Sequence, residues 1–455
     1  MILNLVFDKD EKIVKISRTA KISGFVMPKG WGMRYITDFH IHSKYSRATA
    51  RDISLEKLDE WAKIKGIQIL GTGDFTHPLW FKELKEKLEP VPQGLYKLKS
   101  QLPNYPINQL TNFILTTEIS CIYSKNGRVR RIHLVVFAPD LETVAKINQK
   151  LGAKYNLRSD GRPILGLDAE ELVKILLDIS PDCFIVPAHV WTPWFSLFGS
   201  KSGFDSIEEC FGKMTPYIFA LETGLSADPS MCWRWSALDK FTLISNSDAH
   251  SLANLGREAN VFDLDELSYQ SIIQAIKTRK GFLYTIEFYP EEGKYHLDGH
   301  RSCGLRMTPA ESREVRHICP KCGRPLTIGV LHRVEDLADR KEGTRPEGAP
   351  DYKSLIPLAE IIAEVEGVGK NSKSVQSQYQ NLIKKGKNEF NILLNLSEAE
   401  LRHLSFPRLA EAIIKARRSE VIKVAGYDGV YGIIRVFSIP NLPQKFFRSR
   451  QKTLF

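Results

Sequence analysis

Between Tyr35 and about Leu283, short apolar runs alternate with amphipathic stretches. The runs YITDFHI, IQILGTGDF, FILTTEIS, IHLVVFAP, CFIVPAHV, IFALETG and FTLISNSDAH predict strands. The helical period predicts helices over 54–65, 141–151, 168–179 and 265–279. Such alternation reads as α/β with a mostly parallel sheet closed into a barrel. In barrels of that kind, chemistry collects at the C-terminal ends of the strands. Residues 284–345 break the rhythm and are rich in Gly, Pro, His and Cys, which suits a small module held by a metal rather than by a core. A helical period returns over 351–430, and the 16 residues from Pro440 onward carry Lys445, Arg448, Arg450 and Lys452 with no acid. The pattern divides the chain into an N-terminal extension (1–33), a barrel (34–285), a zinc-binding module (286–345), a helical region (346–438) and a basic tail (439–455).

Composition narrows the class. The 455 residues are 43% apolar and 26% charged, too apolar for a disordered chain. No run approaches the ~18 uncharged apolar residues of a membrane span. The opening MILNLVF runs into DKDEK, unlike a signal peptide, so a cytoplasmic protein is expected. Seven cysteines are too few for a disulfide scaffold. Lys and Arg outnumber Asp and Glu by 64 to 53, and residues 351–455 alone hold 17 against 10. That asymmetry fits a polyanion such as DNA or RNA, although a solvated basic surface has the same charge.

The candidate chemistry lies on the predicted strands. DFHIHS sets His40 and His42 two apart, so that a strand presents both imidazoles to one face. Asp74 and His77 follow the second strand in GTGDFTH. Other strands supply Glu118, His133, His189, and Asp248 with His250. Any one of these alone reads as a satisfied structural side chain. Together they are costly to bury unless cations compensate them. A mixed His/carboxylate set suits Zn²⁺, Mn²⁺ or Fe²⁺ better than Mg²⁺. Two or three such ions serve phosphoester hydrolysis, while an amide-cleaving barrel hydrolase uses similar ligands.

These motifs resemble the PHP (polymerase and histidinol phosphatase) metallophosphoesterases. Within them, DFHIHSKYSRATA, GTGDFTHPLW, AHVWTPWF, ISNSDAHS and the cysteine segment look most like the endonuclease Q group. The resemblance covers roughly residues 34–435. It implies a distorted (β/α)₇ barrel with a multinuclear metal centre, followed by a zinc-ribbon-like module and a helical DNA-binding region. The implied activity is hydrolysis of double-stranded DNA 5′ to deaminated bases (uracil, hypoxanthine, xanthine) or abasic sites. The carried-over ligands are His40, His42, Glu118, His133, His189, Asp248 and His250, with Asp248, Glu118 and His189 as catalytic residues and Asp248 as the bridging carboxylate. Many members read Asp-His after the second strand, whereas Phe75 follows Asp74 here, so Asp74 and His77 both stay open as ligands. The alternatives are a PHP phosphatase or exonuclease acting on small phosphoesters or DNA ends, and a non-catalytic repair scaffold.

Four further elements stand out. His300-x-x-Cys303, with Cys319-Pro-Lys-Cys322 beyond it, has the spacing of a structural zinc site, and His296 and His317 compete with His300 for the fourth place. Gly367-Val368-Gly369-Lys370 between two predicted helices resembles a helix-hairpin-helix, with Lys370 and Lys373 toward DNA, although a plain helix–helix turn fits too. Trp191, Trp194 and Phe195 form an irregular aromatic loop after His189, placed to wall a flipped lesion base. Gln451, Leu454 and Phe455 match a minimal motif for a replication sliding clamp.

Overall fold

The structure, a computed structural model, describes residues 33–99 and 111–438. The N-terminal extension up to residue 32 and the basic tail with Gln451, Leu454 and Phe455 lie outside the described residues.

All seven expected strands form: β1 (Met33–Asp38), β2 (Ile69–Gly71), β3 (Asn112–Lys125), β4 (Arg128–Ala138), β5 (Phe184–Pro187), β6 (Ala220–Glu222) and β7 (Thr242–Ile244). Two more, β8 (Ala259–Leu264) and β9 (Phe282–Glu287), complete the wall. The expectation of a mostly parallel sheet needs correction. β1–β2, β2–β3 and β6–β7 pair in parallel, but β1–β8, β3–β4, β4–β5 and β8–β9 are antiparallel. The physical reason is local: β3 and β4 are separated only by Asn126 and Gly127, both at positive φ, and so short a link can only make a hairpin. That hairpin distorts the barrel.

The interior is filled by the inward residues of successive strands, among them Phe39, Ile69, Ile114, Val135, Phe137, Phe184, Val186, Ile244 and Phe262. Phe39 meets Phe137 edge-on at 5.3 Å. Helices α1 (Leu55–Lys65), α2 (Pro78–Lys87), α3 (Leu141–Gly152), α4 (Ala169–Ile179) and α5 (Tyr269–Thr278) cover the outside. Their ends follow the sequence: Ser54 caps α1 through Lys57 N–H and Gly66 closes it at φ 90°, while Asp140, Asp168 and Ser268 cap the N-termini of α3, α4 and α5.

Asp298–His300 and Leu305–Met307 form a small antiparallel knuckle. The helical region holds α6 (Leu358–Glu366), α7 (Lys373–Gly386) and α8 (Pro407–Arg417). It is tied to the barrel by Glu389, which accepts from Leu358 N–H at 2.9 Å and Tyr379 Oη at 2.6 Å and pairs with Lys65 of α1 at 2.7 Å. No helix among the described residues is long and apolar enough to cross a membrane.

Candidate metal centre

β1 ends at Asp38, whose buried carboxylate accepts from Ser247 N–H (3.1 Å) and Gly256 N–H (2.9 Å). That bond lashes the end of β1 to the loop after β7, and a parallel bridge between Ile41 and Ala249 continues the link. His40 and His42 therefore sit just beyond the strand rather than on it, but the period of two persists: Phe39 and Ile41 enter cores while His40 and His42 face the centre. Glu118 and His133 lie inside β3 and β4 rather than at their ends, because the hairpin carries both strands past the rim.

Two groups of ligand atoms result, each within 4.8 Å of one another: His40, His42, Glu118 and Asp248; and Glu118, His133 and His189. Glu118 belongs to both, and its two oxygens divide the work. Oε1 lies 2.6 Å from His133 Nδ1 and 3.1 Å from His189 Nε2. Oε2 lies 3.2 Å from His42 Nε2 and 3.4 Å from His40 Nε2. The shared carboxylate is thus Glu118, whereas Asp248, expected to bridge, joins only the first group, with Oδ1 3.0 Å from His42 Nε2.

The donor set fits divalent cations. His40 Nε2 is buried without a hydrogen-bond partner, and the rest are imidazole nitrogens and carboxylate oxygens aimed at one another. Burial alone would push both His40 and His42 down. The carboxylates of Glu222, Glu118 and Asp248 around His40, and of Asp74 and Asp248 around His42, outweigh burial and hold both rings well above their usual values. Burial raises Asp248 and Glu118 too, but the neighbouring imidazoles keep both carboxylates below their usual range and hence ionised. His133 is the opposite case, pushed down to about 4 chiefly by burial. Asp74, His189 and Asp248 all adopt positive φ (46°, 32° and 46°), conformations that cost energy and cluster at functional sites.

Several expected residues stand elsewhere. Asp74 is not among the grouped ligands: Oδ1 holds His42 Nδ1 at 3.0 Å, and Oδ2 accepts from Ser43 N–H and from the Ser43 and Ser46 hydroxyls. His77 also stands outside both groups; it stacks on Tyr45 at 4.4 Å, and its Nε2 lies 3.3 Å from the Arg158 carbonyl. His250 is neighbour to the centre, its ring 4.4 Å from that of His42, but it joins neither group. Trp191 is a core residue, 0% exposed and packed on Phe198 and Trp235, so it cannot wall a surface pocket. Trp194 and Phe195 are half-buried near the centre, Phe195 4.9 Å from His133. Lys370 and Lys373 are exposed at the α6–α7 turn, where Gly367 takes φ 70° and Lys370 pairs with Glu360 at 2.8 Å.

Two residues escaped sequence reasoning. Glu222, at the end of β6, receives His40 Nδ1 on both oxygens at 3.0 Å, Asn246 Nδ2 at 2.8 Å and His189 N–H at 2.9 Å. Its only signal was an acid closing an otherwise apolar strand, ALE. Arg162 donates from Nη1 to Glu118 Oε2 at 3.0 Å and is 26% exposed, with no motif to mark it.

His300, Cys303, Cys319 and Cys322 form the third group of potential ligands. His300 is thereby selected over His296, which is buried elsewhere, and His317, whose ring packs on His332. Cys319 is drawn down to about 6: burial raises it, but the N–H groups of Lys321 and Cys322 prevail, favouring the thiolate that a metal requires.

Comparison with known proteins places this arrangement. A family model described as the MJ0043 C-terminal domain matches residues 357–420, and one described as PHP-associated matches residues 233–280. Uncharacterized protein MJ0043 of Methanocaldococcus jannaschii is 38% identical over 253 residues, 54% of this chain and 31% of that protein, so the match spans about a third of the relative's length. Uncharacterized protein YqxK of Bacillus subtilis is 30% identical over 413 residues, 88% of this chain and 98% of that protein. The lesion-specific endonuclease PfuEndoQ of Pyrococcus furiosus superposes with a TM-score of 0.78 at 33% identity, covering 93% of this chain and 98% of that one. An endonuclease Q bound to a 27-mer duplex with an abasic lesion at its active site superposes with a TM-score of 0.77, again at 33% identity, covering 93% of this chain and 100% of that one. With a divided carboxylate between two ligand groups and similarity along nearly the whole length, the chain belongs to the endonuclease Q family of the PHP superfamily.

Proposed function

We propose that this chain is a metal-dependent endodeoxyribonuclease that hydrolyses the phosphodiester bond 5′ to a deaminated base or an abasic site in duplex DNA. The observation that carries this reading is the division of Glu118 between His40/His42 and His133/His189, two groups that would hold two or more divalent cations. The abasic duplex bound by the endonuclease Q of similar fold supports the substrate class. Bound at these residues, divalent cations supply Lewis-acid charge to a phosphoryl oxygen and to the attacking water.

The chain's own groups do the rest. Asp248, ionised and 27% exposed at its side chain, is the accessible carboxylate of the first group and orients the water whose oxygen bonds phosphorus as the bond to the 3′ oxygen breaks. Arg162, anchored by Glu118 yet partly open, brings a fixed positive charge to the phosphate. Asp74 and Glu222 hold His42 and His40 by Nδ1 so that Nε2 of each faces the centre. His300, Cys303, Cys319 and Cys322 would hold one structural Zn²⁺, and the exposed α6–α7 turn with Lys370 and Lys373 would meet the duplex backbone.

The test is a labelled duplex with one deoxyinosine, deoxyuridine or abasic site, incubated with chelator-stripped chain and then with Mn²⁺, Zn²⁺ or Mg²⁺. A single metal-dependent internal nick at the lesion, lost in Asp248→Ala, is expected. Degradation that starts from DNA ends would instead assign an exonuclease.

A further inference from the structure

Beside the metal centre the surface carries a line of aromatic rings that the hydrolytic reading does not use. It begins at Phe195, whose ring lies 4.9 Å from that of His133 and 5.7 Å from the Arg131 guanidinium. The next residue, Trp194, meets Tyr295 edge-on at 5.3 Å. Lys294 then sits between two rings, its Nζ 5.7 Å from the centre of Tyr295 and 5.8 Å from that of Tyr431. Tyr431 is 69% exposed, far more than packing alone asks of an aromatic side chain.

The line crosses three separate segments of chain, and backbone hydrogen bonds join two of them. Gly426 N–H, Gly429 N–H and Gly432 N–H donate to the carbonyls of Glu291, Lys294 and Glu292 at 2.8, 2.8 and 2.9 Å, pinning the loop that carries Tyr431 against the turn that carries Tyr295. Rings with a cation at Lys294 and another at Arg131 thus form a platform that ends at a cluster of ligand atoms. Flat faces suit bases out of the stack, and the interleaved cations suit the phosphates that follow them.

We infer that Trp194, Tyr295 and Tyr431, with Lys294 between them, form a stacking track for unpaired nucleotides of the DNA strand flanking the lesion as that strand leaves the metal centre. The inference rests on the nicking reading, and it adds a surface on which the opened strand is held. Undamaged duplex, whose bases stay stacked, gains nothing from it.

The full-length metal-loaded chain is tested on a duplex with one abasic site, 2-aminopurine at the flanking positions and a phosphorothioate at the scissile position to slow cleavage. Tyr431→Ala and Tyr295→Ala are expected to weaken binding of this duplex roughly tenfold and to relieve 2-aminopurine quenching, with affinity for intact duplex unchanged. Tyr431→Phe keeps the ring and should bind as the parent does, as should Tyr217→Ala, another exposed tyrosine. Parent-like affinity and quenching in both alanine variants, while the parent still nicks the lesion, would overturn the track alone. Equal weakening on intact duplex would also overturn it. A parent chain that neither nicks nor prefers the lesion would remove the nicking reading and the track together.

Discussion

Glu222 shows how a single carboxylate organises a site without entering either ligand group. It is 0% exposed, and His40 Nδ1, Asn246 Nδ2 and the His189 backbone N–H all donate to it. Fixing Nδ1 of His40 as the protonated nitrogen leaves Nε2 free to ligate. Glu222→Gln would turn an amide N–H₂ toward one of these donors. The variant should bind Mn²⁺ some 10–100-fold more weakly by competition with a chelator, with nicking restored as Mn²⁺ is raised. The residues of the two potential ligand groups, His40, His42, Glu118, His133, His189 and Asp248, stood out in the sequence because His and acids are rare company for apolar strands. Asp74, Glu222 and Arg162 show the limit of that reading. An acid that orients a ligand and an acid that is a ligand have the same local pattern, and only the fold says which of them faces the centre. Trp191 fails for the matching reason: a Trp beside a Gly- and Pro-rich loop looks exposed until Phe198 and Trp235 are seen against it.

At the level of elements, all seven expected barrel strands and the four expected helices form, since apolar period and caps are local properties. Their pairing directions were not legible, because they depend on links such as the Asn126-Gly127 turn. The seam between β8 and β9 carries a buried acidic pair beneath the ISNSDAHS segment, where Ser245 donates to Glu287 at 3.1 Å. Glu258 and Glu287 are each 0% exposed; burial and then Glu287 push Glu258 well above its usual value, and burial pushes Glu287 up likewise. A carboxyl raised in the folded state binds more protons folded than unfolded, so its contribution to stability falls as pH rises above the ordinary glutamate value. Glu258→Gln removes that loss. Its gain over the parent in thermal or denaturant unfolding should be small at pH 5 and larger at pH 8, growing by up to about 1.4 kcal/mol per pH unit. A constant difference across this range would show that the pair carries no such burden.

For the whole molecule, the proposed function requires barrel and helical region to act on one substrate. The link at Lys65, Glu389 and Tyr379 is buried and charged, with side chains of Lys65 and Glu389 7% and 5% exposed. Glu389→Ala strands Lys65 in an apolar setting and should cost about 3–5 kcal/mol in denaturant unfolding. Lesion affinity should fall while metal content is unaffected. The net charge of +11 agrees with the polyanionic substrate proposed, but the surface that would meet it was not legible, because charge counts carry no positions.

The central claim is that Glu118 is shared by two cation sites, and metal analysis of purified protein tests it most directly. Parent chain and Glu118→Ala, each dialysed against Mn²⁺ and Zn²⁺ and measured by elemental mass spectrometry, are expected to differ sharply. The parent should hold the cysteine-bound ion and two or more others, while the variant retains the cysteine-bound ion alone. Equal metal content in the two proteins would contradict the account.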